Sequence, residues 1–152
     1  MNNTRNFNIR VYAIIFNDDN SSVLVADEFQ KNMFMTKFPG GGLHYGEGTL
    51  ECLQREIEEE LNGRLTDITH FYTTDFFQQD AFHRHLQLIS IYYKAHLISD
   101  KQFPTSLTPV GSEDNQKLSN GYIAFRWVPL NAINKKMFTF PIDQYVCDLL
   151  KK

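Results

Sequence analysis

Residues 38–63 read FPGGGLHYGEGTLECLQREIEEELNG. The stretch opens on Phe38-Pro39-Gly40-Gly41-Gly42, which breaks regular structure sharply. It closes on Asn62-Gly63, a left-handed stop signal. Between the two, Leu50, Leu53, Ile57 and Leu61 step by 3, 4 and 4, which predicts a helix over residues 49–61 with those four on its buried face. Glu56, Glu59 and Glu60 fall in one sector beside that face, and Glu51, Arg55 and Glu58 point outward.

Like charges at this spacing repel and cost the helix a few tenths of a kcal/mol per pair, so their clustering calls for a counter-charge. A hard divalent cation with oxygen ligands, Mg²⁺ or Mn²⁺, is the natural one, because it takes few carboxylates and leaves positions for water and phosphate oxygens. The glycines ahead of the helix permit close backbone approach, and their amides are candidates to cradle an anion near a helix N-terminus.

Working outward, residues 8–17 form an apolar, β-prone run too continuous for a one-sided strand, which predicts a central strand buried on both faces. A turn at residues 18–21 leads to a returning strand at 23–26. Two further strand regions span 65–77 and 85–97, a last strand spans 122–128, and a closing helix over 142–150 starts from Pro141. Phe71, Tyr72, Phe76 and Phe77 read as core rather than as stacking partners for a base. Residues 100–120 form a long polar stretch of the kind that is functional or disordered in a small domain. Strands, helix, strands, helix is the order of a single α/β domain over residues 1–152 with a mixed sheet.

Composition sets outer limits. The 152 residues suffice for one sizeable core, and 42% hydrophobic against 22% charged residues describes a globular chain. A net charge of −3 leaves no electrostatic footprint for duplex nucleic acid. No apolar run approaches the roughly 18–20 residues that span a membrane. Residues 1–10 are polar, and Cys52 and Cys147 stand far apart, so neither a secretory leader nor a disulfide framework is expected; the reading is cytoplasmic.

The 38–63 stretch resembles the signature of the Nudix hydrolases, G-x5-E-x7-R-E-U-x-E-E-x-G-U, where U is bulky and aliphatic. Gly41, Glu47, Arg55, Glu56, Ile57, Glu59 and Glu60 match in order and spacing, and Phe38-Pro39-Gly40 resembles the family's lead-in. The ending departs from it: Asn62 stands for the final glycine and Gly63 for the final aliphatic residue, which leaves the helix to stop at Asn62 or one residue later.

The resemblance implies a MutT-like α/β/α sandwich. It implies divalent-metal-dependent attack of water on a phosphorus of a nucleoside diphosphate linked to another group: an NTP, a nucleotide sugar or a dinucleotide. By similarity, Glu56, Glu59 and Glu60 would ligate Mg²⁺ or Mn²⁺, Arg55 would hold a glutamate in place, and Glu47 would assist. Glu59 is a candidate general base within the motif. Many relatives draw the base from a later loop, for which Glu113 is the candidate here, since residues 123–126, ahead of Trp127-Val128-Pro129-Leu130, hold no acid. Gly40, Gly41 and Gly42, with Lys37 and Arg10, are the candidate phosphate contacts. A homodimer is one arrangement the family admits. The second reading is a nucleotide-binding regulatory Nudix domain with little catalysis, disfavoured by the intact glutamates.

Overall fold

The computed structural model describes residues 6–109 and 118–152. Seven strands, β1 Asn6–Phe16, β2 Ser22–Gln30, β3 Met33–Lys37, β4 Gly40–Gly42, β5 Arg64–Thr73, β6 Leu86–Ile98 and β7 Tyr122–Pro129, accompany two helices, α1 Thr49–Leu61 and α2 Pro141–Leu150. The chain divides into two compact units, residues 1–13 with 40–99, and residues 14–39 with 100–152.

In the first unit β1 lies beside β6, β6 beside β5, and β4 pairs antiparallel with β1 in the register Arg10–Gly42, Val11–Gly41, Tyr12–Gly40. The glycine run, read from sequence as a break, is thus itself a short strand. Its conformation explains the residue type at Gly40: φ is 153°, and a Cβ there would lie 2.1 Å from the Val11 carbonyl oxygen. Helix α1 packs on β4 and β5. Val11, Leu53, Ile57, Leu61, Leu65 and Tyr92 fill the core of this unit, each contributing roughly 1.5–3 kcal/mol by leaving water.

In the second unit β2 pairs antiparallel with both β3 and β7, and the end of β1 pairs with β2 through Phe16–Val23. Residues 33–37, which the apolar pattern did not mark as a strand, form β3 because Met33–Lys37 completes a hairpin on β2 through Lys31 and Asn32, both at positive φ. Helix α2 opens with Pro141 at its first turn, as read, and buries Ile142, Val146 and Cys147. Phe38 and Phe138 stack with ring centroids 4.6 Å apart.

One group of core residues is corrected. Phe76 is 40% and Phe77 71% exposed, and both lie past the end of β5 in the loop toward Asp80. Among the described residues no helix is long and apolar enough to cross a membrane.

Candidate active site

Helix α1 runs over the predicted residues. At its start Glu51 Oε1 accepts from the Gly48 amide at 3.2 Å. At its end Asn62 takes the left-handed conformation, φ 49° and ψ 44°, and its N–H reaches the Glu58 carbonyl at 3.0 Å. Asn tolerates that conformation better than most residues, so the helix stops where the family's glycine would stop it. Gly63 serves another end: a Cβ there would stand 2.8 Å from the Ile98 carbonyl oxygen.

The packed face of α1 is Cys52, Leu53, Ile57 and Leu61. Leu50, expected among them, is 47% exposed. Cys52 takes its place because its thiol lies 3.4 Å from the Gly42 carbonyl, turning that side of the first two turns toward β4. Burial pushes the Cys52 thiol up to about 11, so it stays protonated at neutral pH.

On the neighbouring sector the carboxylate of Glu56 lies against Gly41. A Cβ at 41 would meet Glu56 Cδ at 2.3 Å and its two oxygens at 2.4 and 2.6 Å. Arg55 grips the rest of the set. Its Nε and Nη2 donate to the two oxygens of Glu47 at 3.0 and 2.7 Å, Nη1 donates to Glu56 Oε1 at 3.0 Å, and Nη2 also reaches the Gly42 carbonyl at 3.1 Å. Glu59 Oε2 stands 3.6 Å from Nη1. This fork is planar and two-toothed, the geometry a lysine cannot reproduce. Hydrogen bonds from Arg55 and then from the His44 amide hold the Glu47 carboxyl down at about 2. The bonds to Glu47 and then to Glu56 hold the Arg55 guanidinium well above its ordinary value.

The carboxylates differ in access. Glu56 is 14% exposed and Glu59 59%, while Glu60 Oε2 is sequestered from solvent. Among the described residues no three carboxylate, imidazole or thiol groups stand close enough to chelate an ion as they are placed. The donor set nevertheless fits a hard divalent cation: these are carboxylate oxygens on one helical sector, three acids (Glu47, Glu56 and Glu59) share a single arginine clasp, and Gly41 leaves Glu56 free of any side chain across from it.

The other sequence-derived positions fall unevenly. Arg10 sits on β1 opposite Gly42, and its Nε donates to Tyr12 Oη at 2.6 Å. Lys37 belongs to the second unit, where its ammonium lies 2.9 Å from Glu28. Glu113 lies outside the described residues. Apart from those positions, His83 and His85 are exposed in the loop that Asp80 organises by accepting from the Phe82 and His83 amides at 2.8 and 3.0 Å.

One buried feature escaped the sequence reading. In the second unit Arg126, 1% exposed, donates through Nε and Nη2 to Asp27 at 2.8 and 3.2 Å; Thr36 Oγ1 donates to the same carboxylate at 2.8 Å, and Arg126 Nη1 to the Ser106 carbonyl at 3.0 Å. An arginine between Phe125 and Trp127 in an otherwise apolar strand is the signal that could have revealed it, since a buried guanidinium needs a carboxylate.

Known proteins agree with the fold. The NUDIX domain family profile matches residues 6–149. A solved MutT described for the fish pathogen Aliivibrio salmonicida and for Vibrio cholerae is 21% identical, with a TM-score of 0.64 over 95% of this chain and 96% of that one. A MutT Nudix hydrolase from Burkholderia pseudomallei is 20% identical, with a TM-score of 0.63 over 93% and 95%. A MutT protein from Methanosarcina mazei is 23% identical, with a TM-score of 0.60 over 97% and 92%. Among curated proteins no significant match was found. The structural likeness establishes the α/β/α sandwich with a mixed sheet expected from the sequence, and with the family profile spanning nearly the whole chain, this protein belongs to the Nudix hydrolase family.

Proposed function

We propose that this Nudix hydrolase is a divalent-metal-dependent pyrophosphohydrolase of nucleotides or nucleotide conjugates, with Glu56, Glu59 and Glu60 holding Mg²⁺ or Mn²⁺. The observation that carries the reading is the packing of the Glu56 carboxylate against the bare α-carbon of Gly41, with Arg55 clasping Glu47 and Glu56. A charged carboxylate held in place without a side chain opposite it serves no packing purpose. When bound, the ion supplies positive charge that offsets the charge developing on the phosphoryl oxygens.

The chain's own residues do the remainder. Arg55 keeps Glu56 aimed and Glu47 ionised, which takes Glu47 out of competition for protons. Glu59, far more exposed than Glu47 or Glu56, accepts a proton from an attacking water at its carboxylate oxygens. Glu113 is the alternative acceptor. The glycines of β4 let a phosphate chain approach the backbone, and Arg10 lies across from Gly42 to meet it.

The test is release of phosphate-containing products from NTPs, nucleotide sugars and dinucleoside polyphosphates with Mg²⁺ or Mn²⁺. Turnover should require the metal and fall at least 100-fold in Glu56→Gln. Separate Glu59→Gln and Glu113→Gln variants assign the base by which one flattens the acidic limb of the kcat–pH profile. Tight nucleotide binding with no turnover on any substrate would sink the enzyme reading and leave the regulatory one.

A further inference from the structure

Strand β4 has a carboxylate on one face and a guanidinium on the other. In an antiparallel pair, opposite residues share a face and successive residues alternate. Val11–Gly41 therefore face α1, where the Gly41 Cα meets Glu56, and Arg10–Gly42 face the other way. A Cβ at Gly42 would lie 3.8 Å from Arg10 Nη1, with no other atom within 4 Å. The two long side chains are separated only by three residues that have none.

Arg10 is held for something it does not touch. Its Nε is committed to Tyr12 Oη at 2.6 Å, and the Tyr12 ring is itself fixed by stacking on Tyr92 with centroids 5.2 Å apart. The two Nη groups, four N–H donors, have no acceptor among the described residues. Glu56 and Asp80 act on this guanidinium through their fields, yet neither hydrogen-bonds it. A largely covered guanidinium with its outer fork empty is a preformed receptor for a pair of anionic oxygens.

We propose that Arg10 is a specificity-determining residue that takes an additional phosphoryl group of the substrate, beyond the diphosphate held at the α1 carboxylates, and that Gly42 keeps the place before its fork open. The inference rests on the hydrolase reading and narrows it. Substrates whose second arm is a phosphoryl chain, such as nucleoside triphosphates, are preferred over nucleoside-diphosphate sugars, whose second arm offers only neutral hydroxyls. A phosphoryl arm brings an opposite charge and two oxygens that the fork can hold bidentately, whereas a neutral hydroxyl offers one oxygen and no countercharge, so the fork discriminates between the two arms.

The experiment compares wild type, Arg10→Ala, Arg10→Lys and Gly42→Ala on a nucleoside triphosphate and on the diphosphate sugar of the same nucleoside. Both kcat and KM are measured with Mg²⁺, and calorimetric binding of each compound is measured with EDTA and with Mg²⁺. Wild type should favour the triphosphate. Arg10→Ala should lower that preference by on the order of 10- to 100-fold, mainly through the triphosphate KM. Arg10→Lys should recover part of it, since one ammonium cannot hold Tyr12 and present a fork. Gly42→Ala meets only an ordinary contact and should fold with an unchanged Tm while losing the same preference. Wild-type preference for the sugar, or equal losses on both compounds, overturns the inference. If wild type turns over none of the wider nucleotide panel but binds the triphosphate through Arg10, the hydrolase reading falls and the anion site stands.

Discussion

Glu56 and Gly41 are in contact: the carboxylate carbon of one lies 2.3 Å from where the other would carry its first side-chain atom. A glycine is required at 41 by a neighbour fifteen positions along the chain, on a helix. The substitution Gly41→Ala therefore acts on Glu56. Because the obstructed group is the far end of a flexible side chain, the fold should survive with a stability change of about 1 kcal/mol or less. The Mg²⁺ concentration for half-maximal turnover should rise about 10- to 100-fold, as for other residues that orient a metal ligand. Metal titrations of activity alongside thermal melts check both, and an unchanged metal dependence would refute the role given to Glu56.

Arg55→Lys keeps the charge of the clasp and loses its fork. Lysine can meet one oxygen of Glu47 or Glu56 but not both carboxylates at once. Turnover should fall about 10- to 100-fold, while stability changes by no more than about 1 kcal/mol, since the pair is a quarter exposed on the arginine side. A variant with full activity would show the fork to be ornamental.

Glu47 makes the clasp pH-dependent on the acid side. Its carboxyl is depressed from an ordinary 4.5 to about 2 by Arg55 and the His44 amide. A depressed folded pKa contributes stability that is fully present above about 4.5 and is lost as the pH falls through about 2. Glu47→Gln should therefore flatten stability against pH between those values and leave its slope near neutrality alone. Chemical denaturation measured from pH 2 to pH 7 decides it; a variant whose acid limb keeps the wild-type slope would count against the assignment.

Asp27 and Arg126 form a buried pair whose partners cannot be removed singly. Arg126→Ala leaves an uncompensated carboxylate at a site with no solvent access. The expected cost is about 3–5 kcal/mol, read as a Tm lower by roughly 10 °C for a chain of this length. Replacing both members, Asp27→Leu with Arg126→Met, should recover most of the loss, because an apolar pair of similar volume carries no desolvation penalty. Additive losses in the double variant would contradict this account.

The local sequence was sufficient for α1. Its span and the sector shared by Glu56, Glu59 and Glu60 follow from 3.6-residue periodicity, and capping narrowed the stop to Asn62 or Gly63, all of which involve neighbours within a turn or two. Tertiary contact decided what that helix turns toward the sheet. Cys52 rather than Leu50 faces β4, because the Gly42 carbonyl, ten residues back, sits beside the thiol. The glycine motif was legible as a spacing but not as a strand: β4 exists only because β1 lies alongside it, and only that register shows Gly41 turned to Glu56 and Gly42 to Arg10. Arg126 in an apolar strand signalled that a buried acid was needed, but its partner Asp27, 99 residues away, was decided only by which strands meet. Helical periodicity is written into consecutive residues, whereas strand pairing and buried ion pairs depend on which distant segments meet.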